Sequence, residues 1–149
     1  MQERYKSKIV VDLLLKRKNK NNKDEILLLL RQNTGYLDGY YDLPGGHVDK
    51  NEDIFSAMIR ETNEEVGIDI YREEMEIAHI YHHYKKDMLK FVFITNKYTG
   101  ILVNNEPKNC KELKWFEIDR LPTNIIPKIK KEILNIKNGT YYDYDSEKV

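Results

Sequence analysis

Residues Gly45 to Ile68 read GGHVDKNEDIFSAMIRETNEEVGI, and the rest of the chain is best read outward from them. Asn51 to Val66 has helical periodicity. Asp49 followed three residues later by Glu52 resembles a capping box, and Gly67 supplies a stop. With Ile54 at zero on a helical wheel of about 100° per residue, Ala57 falls near 300°, Met58 near 40°, Glu61 near 340° and Glu65 near 20°. Two carboxylates therefore sit in the middle of the stripe that should face the core, and Glu64, near 280° by the same arithmetic, borders it. Two such charges about 4 Å apart repel by roughly 4 kcal/mol at an effective dielectric near 20. A cation between them is the expected remedy. An all-carboxylate set without His or Cys suits a hard divalent ion, Mg²⁺ or Mn²⁺, better than Zn²⁺. The plainer alternative pairs Glu61 with a lysine and Glu64 with Arg60 on a solvated face, and spacing alone leaves both open.

Upstream of this stretch, Ile9 to Leu15 and Ile26 to Leu30 read as two strands joined by a solvated, Lys- and Asn-rich loop. Asn33 to Asn51 has the Gly and Pro content of a long loop, with three tyrosines that favour order. Downstream, Ile77 to Tyr84, Leu89 to Tyr98 and Leu113 to Ile118 read as strands, with turns at Gly100 and Asn104-Asn105. Pro127 to Lys137 reads as an amphipathic helix. The Tyr141 to Tyr144 tail is expected to fray, as termini do.

The chain has 149 residues, with 25 Lys and Arg balanced by 25 Asp and Glu, which fits one globular domain and gives no general footprint for a nucleic-acid duplex or an anionic membrane. Cys110 is the only cysteine, so neither an intrachain disulfide nor a four-thiolate zinc site can form. No apolar run is long enough for a membrane-spanning helix, and no signal peptide is evident, so a cytoplasmic location is expected.

The fixed positions of the central stretch, Gly46, then Glu52, Arg60-Glu61, Glu64-Glu65, Gly67 and apolar Ile68, match a known signature in type and spacing. This is the Nudix box, and the chain resembles the Nudix (MutT-like) hydrolases. The resemblance reaches beyond the box, to the Arg31 to Pro44 loop and the Glu106 to Pro122 stretch, and covers a single domain across residues 1–149. Its core runs from about 7 to 137, with 138–149 as a tail. One position departs: Thr62 stands where the family usually has an aliphatic residue, with little damage to catalysis and a small loss of helix stability expected.

The resemblance implies an α/β (α+β) fold, an α/β/α sandwich with a mixed central sheet and a loop-helix-loop catalytic motif. It implies metal ligation by Glu61, Glu64, Glu65 and the Gly45 carbonyl, with Arg60 orienting the carboxylates and Glu52 supporting the site. The general base in several members is a Glu in the loop before a late strand. Glu106 is in that place, with Glu112 close by. The implied reaction is metal-dependent attack of water at phosphorus in a nucleoside diphosphate linked to another group. A nucleoside triphosphate, giving monophosphate and pyrophosphate, is the leading substrate, with ADP-ribose or a nucleotide sugar next. A non-catalytic nucleotide sensor would be expected to have lost box carboxylates, and an isomerase of isoprenoid diphosphates would want catalytic Cys and Glu residues for which Cys110 is poor support.

Recognition is written less clearly. Tyr36, Tyr40, Tyr41 and Tyr81 offer faces for a nucleobase, and Arg31, His83 and Lys85, Lys86 or Lys90 offer contacts for phosphate. His79 and His83 alternate with His82 across a strand, against a shared metal site. Trp115 reads as a core anchor beside the last helix, and Cys110 as a small packed side chain. A homodimer through strand edges or the tyrosine-rich surface is a further expectation.

Overall fold

The computed structural model describes residues 2–146. Eight strands form one mixed sheet: β1 (Lys8–Lys18), β2 (Asp24–Arg31), β3 (Tyr41–Asp42), β4 (Gly45–His47), β5 (Glu76–His83), β6 (Met88–Thr95), β7 (Cys110–Glu117) and β8 (Tyr142–Tyr144). The two helices are α1 (Ile54–Val66) and α2 (Pro127–Lys137). Neither is long and apolar enough to cross a membrane.

Long β1 organises the sheet. Residues 8–15 run parallel to β6, residues 10–12 pair antiparallel with β4, and residues 16–18 pair antiparallel with β2. The main path is β3-β2-β1-β6-β5-β8, with β4 beside β1 and β7 beside β2. Alternation along β1 then divides the core. Val11, Leu13 and Leu15 face α1, where Ala57, Met58 and Phe93 pack. Leu14 faces α2 with Val92, Ile129 and Ile133. The architecture is the expected sandwich, with a helix over each face.

Four local expectations are corrected. Helix α1 starts at Ile54 rather than Asn51, because Asn51 is left-handed with φ 68° and cannot continue a helix. Asp53 is the cap, accepting a 2.8 Å bond from the Ser56 N–H. Strands β1 and β2 extend into the supposed loop, where Arg17 pairs with Glu25 at 2.8 Å and Lys18 with Asp24 at 2.9 Å. Trp115 packs on the α1 side, under the Arg17 guanidinium at 4.0 Å, rather than beside α2. In the tail, Tyr142–Tyr144 does not fray but pairs in parallel with Ile80–His82 of β5. Residues 147–149 of that tail lie outside the described residues.

Candidate active site

Glycines 45 and 46 bring β4 against both β1 and α1. A Cβ on Gly45 would overlap Asp12 and the Val11 carbonyl, and one on Gly46 would overlap the Glu61 carboxylate. The missing side chains thus allow backbone and carboxylates to meet. The N–H of Gly45 donates to Glu65 Oε2 at 3.1 Å.

Arg60 lies at the centre of the acidic helix end. Its guanidinium donates to Glu52 (2.7 and 3.1 Å), Glu61 (3.0 Å), Glu64 (3.1 Å) and the His47 carbonyl (3.1 Å). The alternative of a Glu64–Arg60 pair is therefore realised, but Glu61 also goes to Arg60 rather than to a lysine. Glu52, bonded as well to the Asp49 N–H at 2.7 Å, closes the turn ahead of the helix. Glu64 is half exposed, whereas Glu61 is largely covered.

Glu65 is the group most at odds with its surroundings. Burial, reinforced by the charges of Glu61, Glu106 and Asp12, pushes its carboxyl up to about 9. Burial also raises Glu61, against the pull of Arg60. Without a cation, Glu65 holds a proton at neutral pH. An ion bound against Glu65, Glu61 and the Gly45 carbonyl would replace that proton, and these oxygen donors fit Mg²⁺ or Mn²⁺. Among the described residues the acidic groups do not converge into a closed ligand set, because Arg60 draws Glu61 and Glu64 to itself.

Beside these groups opens a cavity of about 530 Å³ on the α2 face of the sheet. Gly45, Gly46, Glu65 and Glu106 line one end, and Arg31, Tyr36 and His83 also reach its wall. Glu112 does not, and its carboxylate accepts the Tyr41 hydroxyl instead. Two of the expected recognition tyrosines are buried rather than brought to the cavity. Tyr41 is buried against Phe116, and Tyr81 is buried with its hydroxyl donating to Asp145 at 2.7 Å. Arg31 is committed to Asp42 (3.1 Å), Thr34 (3.0 Å) and the Tyr36 carbonyl (2.8 Å), so it braces the loop that carries exposed Tyr36. The histidines go separate ways, His79 to the Thr140 carbonyl, His82 to Tyr5 and His83 to Asp145. Cys110 is buried on the cavity wall.

Lys90, expected to reach phosphate, lies instead in a charged cluster under the cavity floor whose acids sequence reading missed. Lys90 ion-pairs with Asp12 at 3.1 Å and Glu132 at 3.2 Å. Burial would drive Lys90 toward the neutral amine, but Asp12, Glu132 and Asp42 outweigh it and raise its pKa. Burial pushes Glu132 up to about 7 and Asp42 up to about 6. Polar residues at inward positions of apolar strands and of α2 were the available signal.

The whole frame, from β1 through the box to α2, matches a family: the NUDIX domain model covers residues 8–135. The chain belongs to the Nudix family. This Nudix hydrolase is 29% identical over 137 residues to an ADP-ribose pyrophosphatase of Methanocaldococcus jannaschii, covering 88% of this chain and 75% of that one. It is 30% identical over 95 residues to the NAD-capped RNA hydrolase NudC of Stutzerimonas stutzeri, where the match takes in 64% of this chain and spans only 33% of the relative's length. A crystal structure of a MutT NUDIX hydrolase from Burkholderia pseudomallei has the same fold, with a TM-score of 0.74 at 24% identity over 87% of this chain and 97% of that one.

Proposed function

We propose that this Nudix hydrolase cleaves the diphosphate of a nucleoside diphosphate linked to another group, by metal-dependent attack of water at phosphorus. The observation that carries the reading is the half-buried Glu65 carboxyl, bonded by the Gly45 N–H and crowded by the charge of Glu61, in the wall of a nucleotide-sized cavity. A divalent cation held there by Glu61, Glu65 and the Gly45 carbonyl would neutralise phosphate oxygens and lower the pKa of water bound to it. The protein's own part is positional. Arg60 fixes the rotamers of Glu61 and Glu64, and Glu52 fixes Arg60 in turn. Glu106, on the cavity wall, is our choice for the base that takes the proton of the attacking water, while Glu112 is occupied by Tyr41. Tyr36 offers an exposed ring at the cavity edge.

A nucleoside triphosphate is the simplest member of this substrate class, and ADP-ribose and nucleotide sugars are the larger ones. The test is release of phosphate, pyrophosphate or nucleoside monophosphate from a panel spanning these, with Mg²⁺, for the native chain and Glu65→Gln. We expect turnover on one class and a loss of a hundredfold or more in the variant. Turnover that survives in Glu65→Gln, or saturable nucleotide binding without any release, would reject the reading.

A further inference from the structure

With Asp12, Lys90, Arg31 and Asp42 also in its wall, the cavity is lined by Glu65 and Glu106 near the Gly45–Gly46 backbone and, across the sheet, by His83, Lys86 and Lys128. The sheet sets their separation: β4, β1, β6 and β5 are successive neighbours, so three spacings of about 4.8 Å, roughly 14 Å, lie between the Gly45–Gly46 backbone and His83.

The cationic end is a constructed feature. Lys128 Nζ sits 4.1 Å above the centroid of the Tyr81 ring, and no carboxylate lies within ion-pair distance of it among the described residues. The Tyr81 and His83 rings meet edge to face, 5.8 Å apart. One carboxylate holds both: Asp145 accepts the Tyr81 hydroxyl at 2.7 Å, His83 Nδ1 at 2.5 Å and the Lys85 N–H at 3.1 Å. Because an ionised carboxylate only accepts, the Nδ1 proton belongs to that bond and Nε2 is left for another partner. Lys86 is exposed at the rim, and the positive end of α2 adds potential of the same sign. Burial, with Lys90 and Lys86, presses Lys128 toward its neutral form against the weaker pull of Asp145 and Glu132, a tension that an anion in the cavity would relieve.

We propose that His83, Lys86 and Lys128 form a second anion subsite, which takes a phosphoryl group of the substrate remote from the diphosphate that is cleaved. The inference rests on the hydrolase reading above. It narrows that substrate class to derivatives with a further phosphate on the nucleoside or on the attached group. A phosphate monoester, with a charge of about −1.5 to −2 at neutral pH, matches the two lysines better than a carboxylate does, and the free Nε2 of His83 adds a polar contact.

The test uses the full chain in EDTA and calorimetric binding of ligand pairs that differ by one remote phosphate: NADPH against NADH, and coenzyme A against its 3′-dephospho form. In at least one pair the phosphorylated member should bind tenfold or more tightly. Lys128→Ala and Lys86→Ala should each cut that preference to threefold or less, with Lys128→Arg retaining it, and circular dichroism verifies that each variant is folded. Equal binding within twofold in both pairs, absence of binding by every member, or a preference that survives both alanine variants would overturn the subsite. The readout needs no turnover, so a chain that keeps the preference yet hydrolyses nothing in the panel would reject the hydrolase reading and leave the subsite standing.

Discussion

Thr62 shows what one atom can do in a well-packed helix. It is fully buried on α1, and its hydroxyl has no hydrogen-bond partner. An unpartnered buried hydroxyl costs about 1–3 kcal/mol, whereas an apolar group of the same shape costs little there. The position where the sequence departs from the Nudix signature is thus an energetic flaw rather than a functional device, because the side chain is fully buried and its hydroxyl serves no partner. Thr62→Val should raise stability by about 1 kcal/mol and the melting temperature by a few degrees, with turnover unchanged. A urea midpoint below that of the native chain would contradict this account.

At the scale of elements, legibility followed the source of each element's stability. Long strands and both helices carry their own apolar periodicity, so β1, β2, β5, β6, β7, α1 and α2 were readable, as was the box that arms α1. The two- and three-residue strands β3, β4 and β8 carry none, since each exists only because a distant strand offers it a ladder. The same limit hid Asp145, whose role depends on β8 arriving beside β5. The box residues shared one local motif and were found together. Tyr41 and Tyr81 were chosen for their ring chemistry, and what decides their place is burial by segments far away in sequence.

Asp145 also makes the β8 contact testable. Burial opposes its ionisation, but bonds from His83 and Tyr81 hold its carboxyl well below the usual range. A depressed carboxyl contributes stability that is present above about pH 3.8 and is lost as the pH falls below it. Asp145→Ala leaves the buried Tyr81 hydroxyl unpaired, so it should cost about 2 kcal/mol at pH 7. The gap from the native chain should narrow as the pH drops toward 3. Urea unfolding of both proteins across that range reads it, and equal midpoints at pH 7 would show that the β8 contact adds nothing.

For the molecule as a whole, the sheet separates two chemistries. The box sets acids at one edge, and the α2 face gathers Asp12, Asp42 and Glu132 around Lys90, with Arg31 also on Asp42. Three carboxyls that share the Lys90 ammonium cannot all ionise cheaply in a covered space, even with Arg31 at the edge of the group. Glu132, about 7, and Asp42, about 6, both lie above their unfolded values, so each favours the folded state in its protonated form. Their contribution is complete below about pH 4 and is lost as the pH rises through 6 and 7, opposite in sign to that of Asp145. In EDTA these two groups, together with Glu65 and its carboxyl at about 9, should therefore make the native chain lose stability between pH 5 and 8, by a few kcal/mol in order of magnitude. Glu132→Gln keeps the shape, removes one titrating group and leaves Asp12 on Lys90, so part of that slope should disappear while the shares of Asp42 and Glu65 persist. Guanidinium midpoints at half-unit pH steps measure it. If the variant and the native chain lose stability in parallel, Glu132 is ionised throughout and the buried cluster shares its protons in some other way.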